Sequence, residues 1–183
     1  MRIRLVSAVV VAFVASLTGQ AQEKLENPFK NAKVGDFVAY KMTTSFMGKD
    51  FEVSMKQTVT AKSDTEVTIK QSSTVLGKDL PGQDAKIDLT KPFDPFAAAM
   101  QQKKKGNFEK TGDGKEKIVV GGKTYDCNWM SGKVVADAGG KKFESEIKVW
   151  LSKSVPLSGM VKMEMKSSFA NVQMEIVESG SAK

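Results

Sequence analysis

The sequence predicts a mainly β fold: a curved antiparallel sheet, or half-barrel, of about nine or ten strands wrapping one short helix. Three observations predict it. Between residues 36 and 178 apolar residues recur with a period of two. Turn signals such as Met47-Gly48-Lys49-Asp50 and Lys62-Ser63-Asp64-Thr65 separate the alternating runs. One segment, residues 94–105, replaces that period with helix chemistry at both ends. A sheet of that many strands curls, closes or splits rather than lying flat. Curling around the helix would give its apolar face and the helix one shared core.

The chain opens with Met1-Arg2-Ile3-Arg4, the apolar run Leu5–Leu17, and Gly19 and Ala21 one residue apart. These are the basic, apolar and small-x-small parts of a secretory signal peptide spanning residues 1–21, with cleavage between Ala21 and Gln22. The apolar run is shorter than the about 20 residues a membrane-spanning helix needs. Leu17-Thr18-Gly19 has the start of a lipobox, but Gln20 stands where the lipidated cysteine would be. The expectation is a protein exported to the periplasm or secreted, not lipid-anchored, with no transmembrane segment after cleavage. Losing Arg2 and Arg4 lowers the formal charge from +7 to +5, which favours weak attraction to anionic envelope surfaces.

Residues 22–35 read as a polar N-terminal arm or ordered lead-in. Residues 36–178 read as a single antiparallel β domain, and residues 179–183 as a frayed tail. Val38, Tyr40, Met42 and Phe46 alternate with polar residues, as do Phe51, Val53, Met55 and Val59, and then Val67, Ile69 and Val75. That is a three-stranded meander with one apolar and one wet face. Gly77–Gln83, containing Leu80-Pro81-Gly82, reads as loop, with a short strand possible over 85–90. Asp94 is the N-cap candidate of the helix, Pro95 its first position and Gly106 its stop. Lys103, Lys104 and Lys105 sit at its C-terminal end, where the helix dipole favours cations.

The second half returns to strands. Phe108–Thr111 is expected to meet Lys115–Val120 across a Gly112-Asp113-Gly114 turn. A following strand carries Tyr125, Cys127 and Trp129 on one face, with a break at Gly132. Ile147, Val149 and Leu151, then Val161, Met163 and Met165, then Val172, Met174 and Ile176 complete the alternation.

The chain has no histidine and a single cysteine, Cys127. That excludes an internal disulfide, a Cys-x-x-Cys redox site, a cysteine-rich zinc site and any nucleophile activated by imidazole. No cofactor is implied. The chain has ten methionines, and Met42, Met55, Met163, Met165 and Met174 fall at inward positions. Methionine adapts to irregular apolar shapes and recurs on promiscuous binding surfaces. The candidate ligand-binding residues are Tyr40, Met42, Met55, Phe96, Met100, Trp129, Val149, Met163, Met165 and Met174, lining the space between sheet and helix. An ordinary, filled core is the plainer reading of the same residues.

The other candidates have plainer readings too. Cys127, between Tyr125 and Trp129, reads as a buried, inert thiol. The lysines 103–105, with Lys110 and Lys115, could meet phosphate or an anionic polymer, and such a run is usually a solvated helix end. No aromatic residues interleave with them, so nucleic acid is not expected as a partner. Glu144, Glu146, Glu164 and Glu175 sit outward among lysines, which reads as cross-strand ion pairing.

The one-faced sheet with its alanine- and methionine-bearing helix, behind a signal peptide, resembles the lipoprotein-localisation factor half-barrels (LolA/LolB-like). Residues 148–152 through 155–162 also resemble a strand–corner–strand of exported bacterial proteins. The resemblance implies a half-barrel fold and a lipid-like ligand, and carries over no individual binding residue. Three expectations follow for function: a non-enzymatic carrier of an apolar or lipid-like ligand, a structural or interaction module of the envelope with a solid core, and a carboxylate-based hydrolase.

Overall fold

The computed structural model describes residues 26–46, 48–95, 107–138, 141–168 and 170–181. The signal peptide with its Ala21–Gln22 cleavage site, and the helix expected over 94–105 beyond Pro95, lie outside the described residues.

Among the described residues nine strands follow one another: β1 Phe37–Phe46, β2 Lys49–Lys62, β3 Glu66–Val75, β4 Lys78–Asp88, β5 Asn107–Val120, β6 Lys123–Ala138, β7 Lys141–Leu151, β8 Met160–Ser167 and β9 Ala170–Gly180. They form one antiparallel sheet in the order β4-β3-β2-β1-β9-β8-β7-β6-β5. The sheet is unclosed, with β4 and β5 as its edges. It is also curved: β5 approaches β9 although β6, β7 and β8 lie between them in the order. The mainly β half-barrel expected from the period-two pattern is the architecture observed.

Two meanders are joined through β1 and β9. One end of the sheet carries the β2–β3, β5–β6 and β7–β8 connections, together with the start of β1 and the end of β9. This end is closed. Phe29, Ala32, Leu89, Val155 and Leu157 are buried there, and Phe29 meets Phe93 edge-to-face at 6.0 Å. Pro28–Asn31 forms a single 3-10 turn, capped by Asn27, whose amide donates to the carbonyls of Asp88 and Lys91. Lys62 ties the same segment down by donating to the carbonyls of Lys30 and Ala32. Residues 26–36 are therefore an ordered lead-in, with three buried residues in the span 27–32. The opposite end carries the β1–β2, β3–β4 and β8–β9 hairpins. The chain leaves β4 at the closed end and enters β5 at the other end, on the opposite edge.

Several expectations are corrected. Residues 78–83 are strand, not loop: β4 starts at Lys78 and runs through Pro81-Gly82. An edge strand tolerates proline because its N–H side faces solvent. Gly112-Asp113-Gly114 is not a hairpin turn. It lies inside one long β5, with a register shift between Lys110 and Gly112 that absorbs the irregularity. Gly132 does not break β6, whose pairing with β7 runs unshifted from Asn128 to Ala138. Residues 179–181 are not frayed: β9 runs to Gly180, and the Ser181 hydroxyl donates to Asp36.

Candidate functional site

Residues directly opposed across a ladder share a face, so the register assigns the two faces of the sheet. One row reads Met130–Val149–Met163–Met174–Met42–Val53–Val75 across β6, β7, β8, β9, β1, β2 and β3. The row beside it toward the closed end contains Ile176–Tyr40–Met55. These rows make the inner face. It brings together seven of the residues expected at the site: Tyr40, Met42, Met55, Val149, Met163, Met165 and Met174. Val149, Met163, Met174, Tyr40 and Met55 are buried, whereas Met42 and Met165 are half-buried, as are Val53 and Val172. Each fully buried side chain of this kind contributes about 1.5–3 kcal/mol through removal from water.

Trp129 is not on this face. It opposes Trp150 on β7, while its neighbour Met130 opposes Val149. The unbroken β6 is the reason: without a bulge at Gly132, Trp129 and Val134 differ in parity and point to opposite sides. Phe96 and Met100 lie outside the described residues.

Tyr40 joins the inner face to the closed end. Its hydroxyl donates to the Met160 carbonyl at 3.1 Å and lies 3.5 Å from Ser158 Oγ. Burial pushes this phenol well above its ordinary pKa, against the opposing effect of Ser158. Ser158 belongs to the corner between β7 and β8, a loop unusually buried for a connection. Ser152 N donates to Gly159 O at 2.7 Å, and Gly159 N to Pro156 O at 3.3 Å. Gly159 has φ 73° and its Cβ position lies 3.1 Å from the Ser152 carbonyl, so glycine is required there. Leu157, at φ 63° and 2 % exposed, is held in a left-handed conformation by its burial.

A cavity of about 780 Å³ opens beside this corner at the closed end. Its walls include Asn31, Phe93, Lys123, Asn128, Leu151 to Gly159 and Ser179 to Ser181. A second, of about 710 Å³, lies across the Ser152–Ser154 strip and takes in Lys115, Lys117, Thr124 and Cys127. Neither is lined by the inner-face residues named above.

The outer face carries a cluster that sequence reasoning missed. Lys148 Nζ sits 4.3 Å from the Trp129 ring centroid and 4.5 Å from that of Trp150. Glu116 accepts from Lys148 at 2.9 Å and from the Trp150 indole N–H. The Lys148 and Trp150 hydrogen bonds hold the Glu116 carboxyl below its ordinary pKa. The Trp129 ring lies on bare backbone, with the Gly114 Cβ position only 2.9–3.0 Å from its atoms. The readable signal was Gly112 and Gly114 at strand spacing, opposite a tryptophan. Lys162 continues the face by bridging Glu164 at 3.0 Å and Glu175 at 3.1 Å. Glu164 and Glu175 are thus in ion pairs. Cys127 is buried on this face, and burial, then Glu116 and Asp126, push its thiol up to about 11. Among the described residues no helix is long and apolar enough to cross a membrane.

No family model matches the chain, and no curated protein matches it. Solved structures do. A candidate exported protein with a YmcC-like fold from Bacteroides fragilis is similar at TM-score 0.55 and 10 % identity, over 84 % of this chain and 99 % of its own. A candidate lipoprotein from Parabacteroides distasonis is similar at TM-score 0.57 and 14 % identity, over 85 % of this chain and 99 % of its own. At these identities the likeness is one of fold.

Proposed function

We propose that the protein is an exported, non-catalytic binding protein that holds an apolar or lipid-like ligand against the inner face of its half-barrel. The observation that carries this reading is the methionine row Met163–Met174–Met42, continuous across β8, β9 and β1. Three neighbouring unbranched, polarizable side chains make a surface that re-packs around a guest at small cost. The middle of the row, Val149, Met163 and Met174, is buried, whereas Met130 at one end and Met42, Val53 and Val75 toward the other are half-buried, so the face is partly open to solvent. One further observation supports the reading: the two fold neighbours are described as an exported protein and as a lipoprotein. The resemblance to lipoprotein-localisation half-barrels implies a lipid-like ligand. Export rests on the signal-peptide pattern of residues 1–21. With Gln20 in the lipobox position, we take the chain to be free rather than lipid-anchored.

The test is lipid extraction of the purified protein with mass spectrometry, alongside titration with the neutral probe N-phenyl-1-naphthylamine. Co-purified lipid or saturable probe uptake is the expected outcome. Absence of both overturns the reading. A second reading, an envelope interaction module with a solid core, is favoured by one fact: Val149, Met163 and Met174 are already at most 4 % exposed. Envelope crosslinking that captures a partner, from protein that takes up no probe, would select it.

A further inference from the structure

The hairpin between β3 and β4 puts a leucine where a glycine or an asparagine belongs, and the inner-face reading makes no use of it. We infer that Phe51, Leu76 and Leu80, at the end of the sheet opposite the closed one, form a docking surface that seats the protein on a lipid bilayer. The inference takes its purpose from the inner-face reading, since a lipid-like ligand is taken from or given to a bilayer, and it is tested separately.

Val75 pairs with Lys78, so Leu76 and Gly77 make a two-residue hairpin loop. Both have positive φ, 50° and 76°. Such a turn favours Asn-Gly or Gly-Gly, because the left-handed conformation crowds a side chain against its own backbone. Leucine has no polar group that could offset that cost locally. Packing does not hold it either: at 76 % exposure, Leu76 is the most exposed large apolar residue among those described. Leu157, also at positive φ, is the contrast, because it is 2 % exposed and its burial holds it. Strain that no packing within the molecule offsets points to a contact outside it.

Leu76 does not stand alone. Exposed Phe51 and Leu80 lie at the same end of the sheet. The register puts Phe51 on the inner face, two residues beyond Val53, and sets Leu80 opposite Ser73, which itself opposes Met55. With half-buried Met42, Val53 and Val75, these residues continue the methionine row out to the hairpin tip. Charge does not select an anionic partner, because exposed Lys49 and Lys78 at the two hairpins are matched by exposed Asp50 and Asp79. Three side chains at a hairpin tip also bury far less than the about 1,000 Å² of a specific protein interface. They suit a deformable apolar medium instead, and so few anchors make the attachment weak and reversible. An apolar tract that reaches the bilayer lets a lipid-like ligand pass to the inner face without crossing water.

The test is co-sedimentation of the mature protein with phosphatidylcholine vesicles, alone and mixed with phosphatidylglycerol. The native protein is expected to bind both kinds. Leu76→Asn should weaken binding about tenfold, the effect of withdrawing one leucine from the apolar medium. The same variant should melt no lower than the native protein, because asparagine tolerates the left-handed conformation. Leu80→Ser, on the same edge, should give a second loss. Val119→Asn removes an apolar side chain that is 68 % exposed at the closed end, and it should leave binding unchanged. Absence of binding to phosphatidylcholine vesicles, or equal binding by the native protein and Leu76→Asn, overturns the inference. Binding that requires phosphatidylglycerol overturns it too, since net charge would then be the cause. Uptake of N-phenyl-1-naphthylamine is measured without vesicles, so its failure counts against the inner-face reading and leaves the vesicle result to stand by itself.

Discussion

Moving one residue along each of five adjacent strands turns Met130–Val149–Met163–Met174–Met42 into Trp129–Trp150–Lys162–Glu175–Lys41. The two rows belong to the same ladders and differ only in the side of the sheet. The inner row is apolar, three of its five members adjacent methionines, and its contacts have no directional demand. The outer row is a chain of specific partners: an indole stacked on glycine, an ammonium between two indoles, a lysine bridging two carboxylates. A one-residue slip would exchange the two rows, putting charges inside and methionines outside. The outer face therefore fixes the register, leaving the inner face to be soft without losing the fold. A binding protein for a ligand of variable shape needs that division of labour.

Four predictions break or sharpen this contrast. The largest effect belongs to the inner row. Met163→Ala should cost about 2–5 kcal/mol in urea denaturation, because the site is 4 % exposed and its neighbours collapse only partly. Met163→Leu, which conserves volume, should cost less than about 1.5 kcal/mol. Similar losses for both would mean the inner row is as shape-specified as the outer one.

Next comes Gly114→Val. Its added side chain meets the Trp129 ring at 2.9–3.0 Å and displaces it, at about 1–3 kcal/mol. A red shift in tryptophan emission should accompany the loss. Unchanged emission would show that Trp129 does not depend on the glycine floor.

The Glu116→Gln/Lys148→Met double-mutant cycle should give a coupling of about 0.5–1 kcal/mol that shrinks in salt, since both side chains are about one-third exposed. The pH dependence has a definite sign. Glu116 is more acidic in the folded state than in the unfolded chain, so its contribution is complete above the ordinary carboxylate pKa. It is lost as pH falls through the depressed folded value. Tryptophan emission should follow that loss on the acid side, and Glu116→Gln should remove the step. The smallest effect is expected at Lys41→Ala. Lys41 and Glu52 are 51 % and 62 % exposed, and breaking their pair should change stability by about 0.5 kcal/mol or less.

The alternation of Val38, Tyr40 and Met42, and of Val161, Met163 and Met165, was enough to read the sheet and most of its inner face, because a half-buried strand prints its period directly. Irregular strands hid the rest. Pro81-Gly82 and Gly112-Asp113-Gly114 carry turn residues, yet they occupy edge strands, where lost ladder bonds and bulges are tolerated. Gly132 suggests a break that would let Trp129 share a side with Val134, and the unshifted β6–β7 pairing overrides it. The closed end was invisible for another reason. Its walls come from residues 26–36, 123–128, 151–159 and 179–181, and only the fold brings them together.

The most direct test of the central claim is neutral-probe uptake compared across the two faces. N-phenyl-1-naphthylamine should bind the protein saturably, Met42→Asn at the half-buried rim of the inner row should weaken that uptake, and Lys148→Ala on the outer face should leave it unchanged. No saturable uptake by the native protein, or equal losses in the two variants, would contradict an inner face built to hold an apolar ligand.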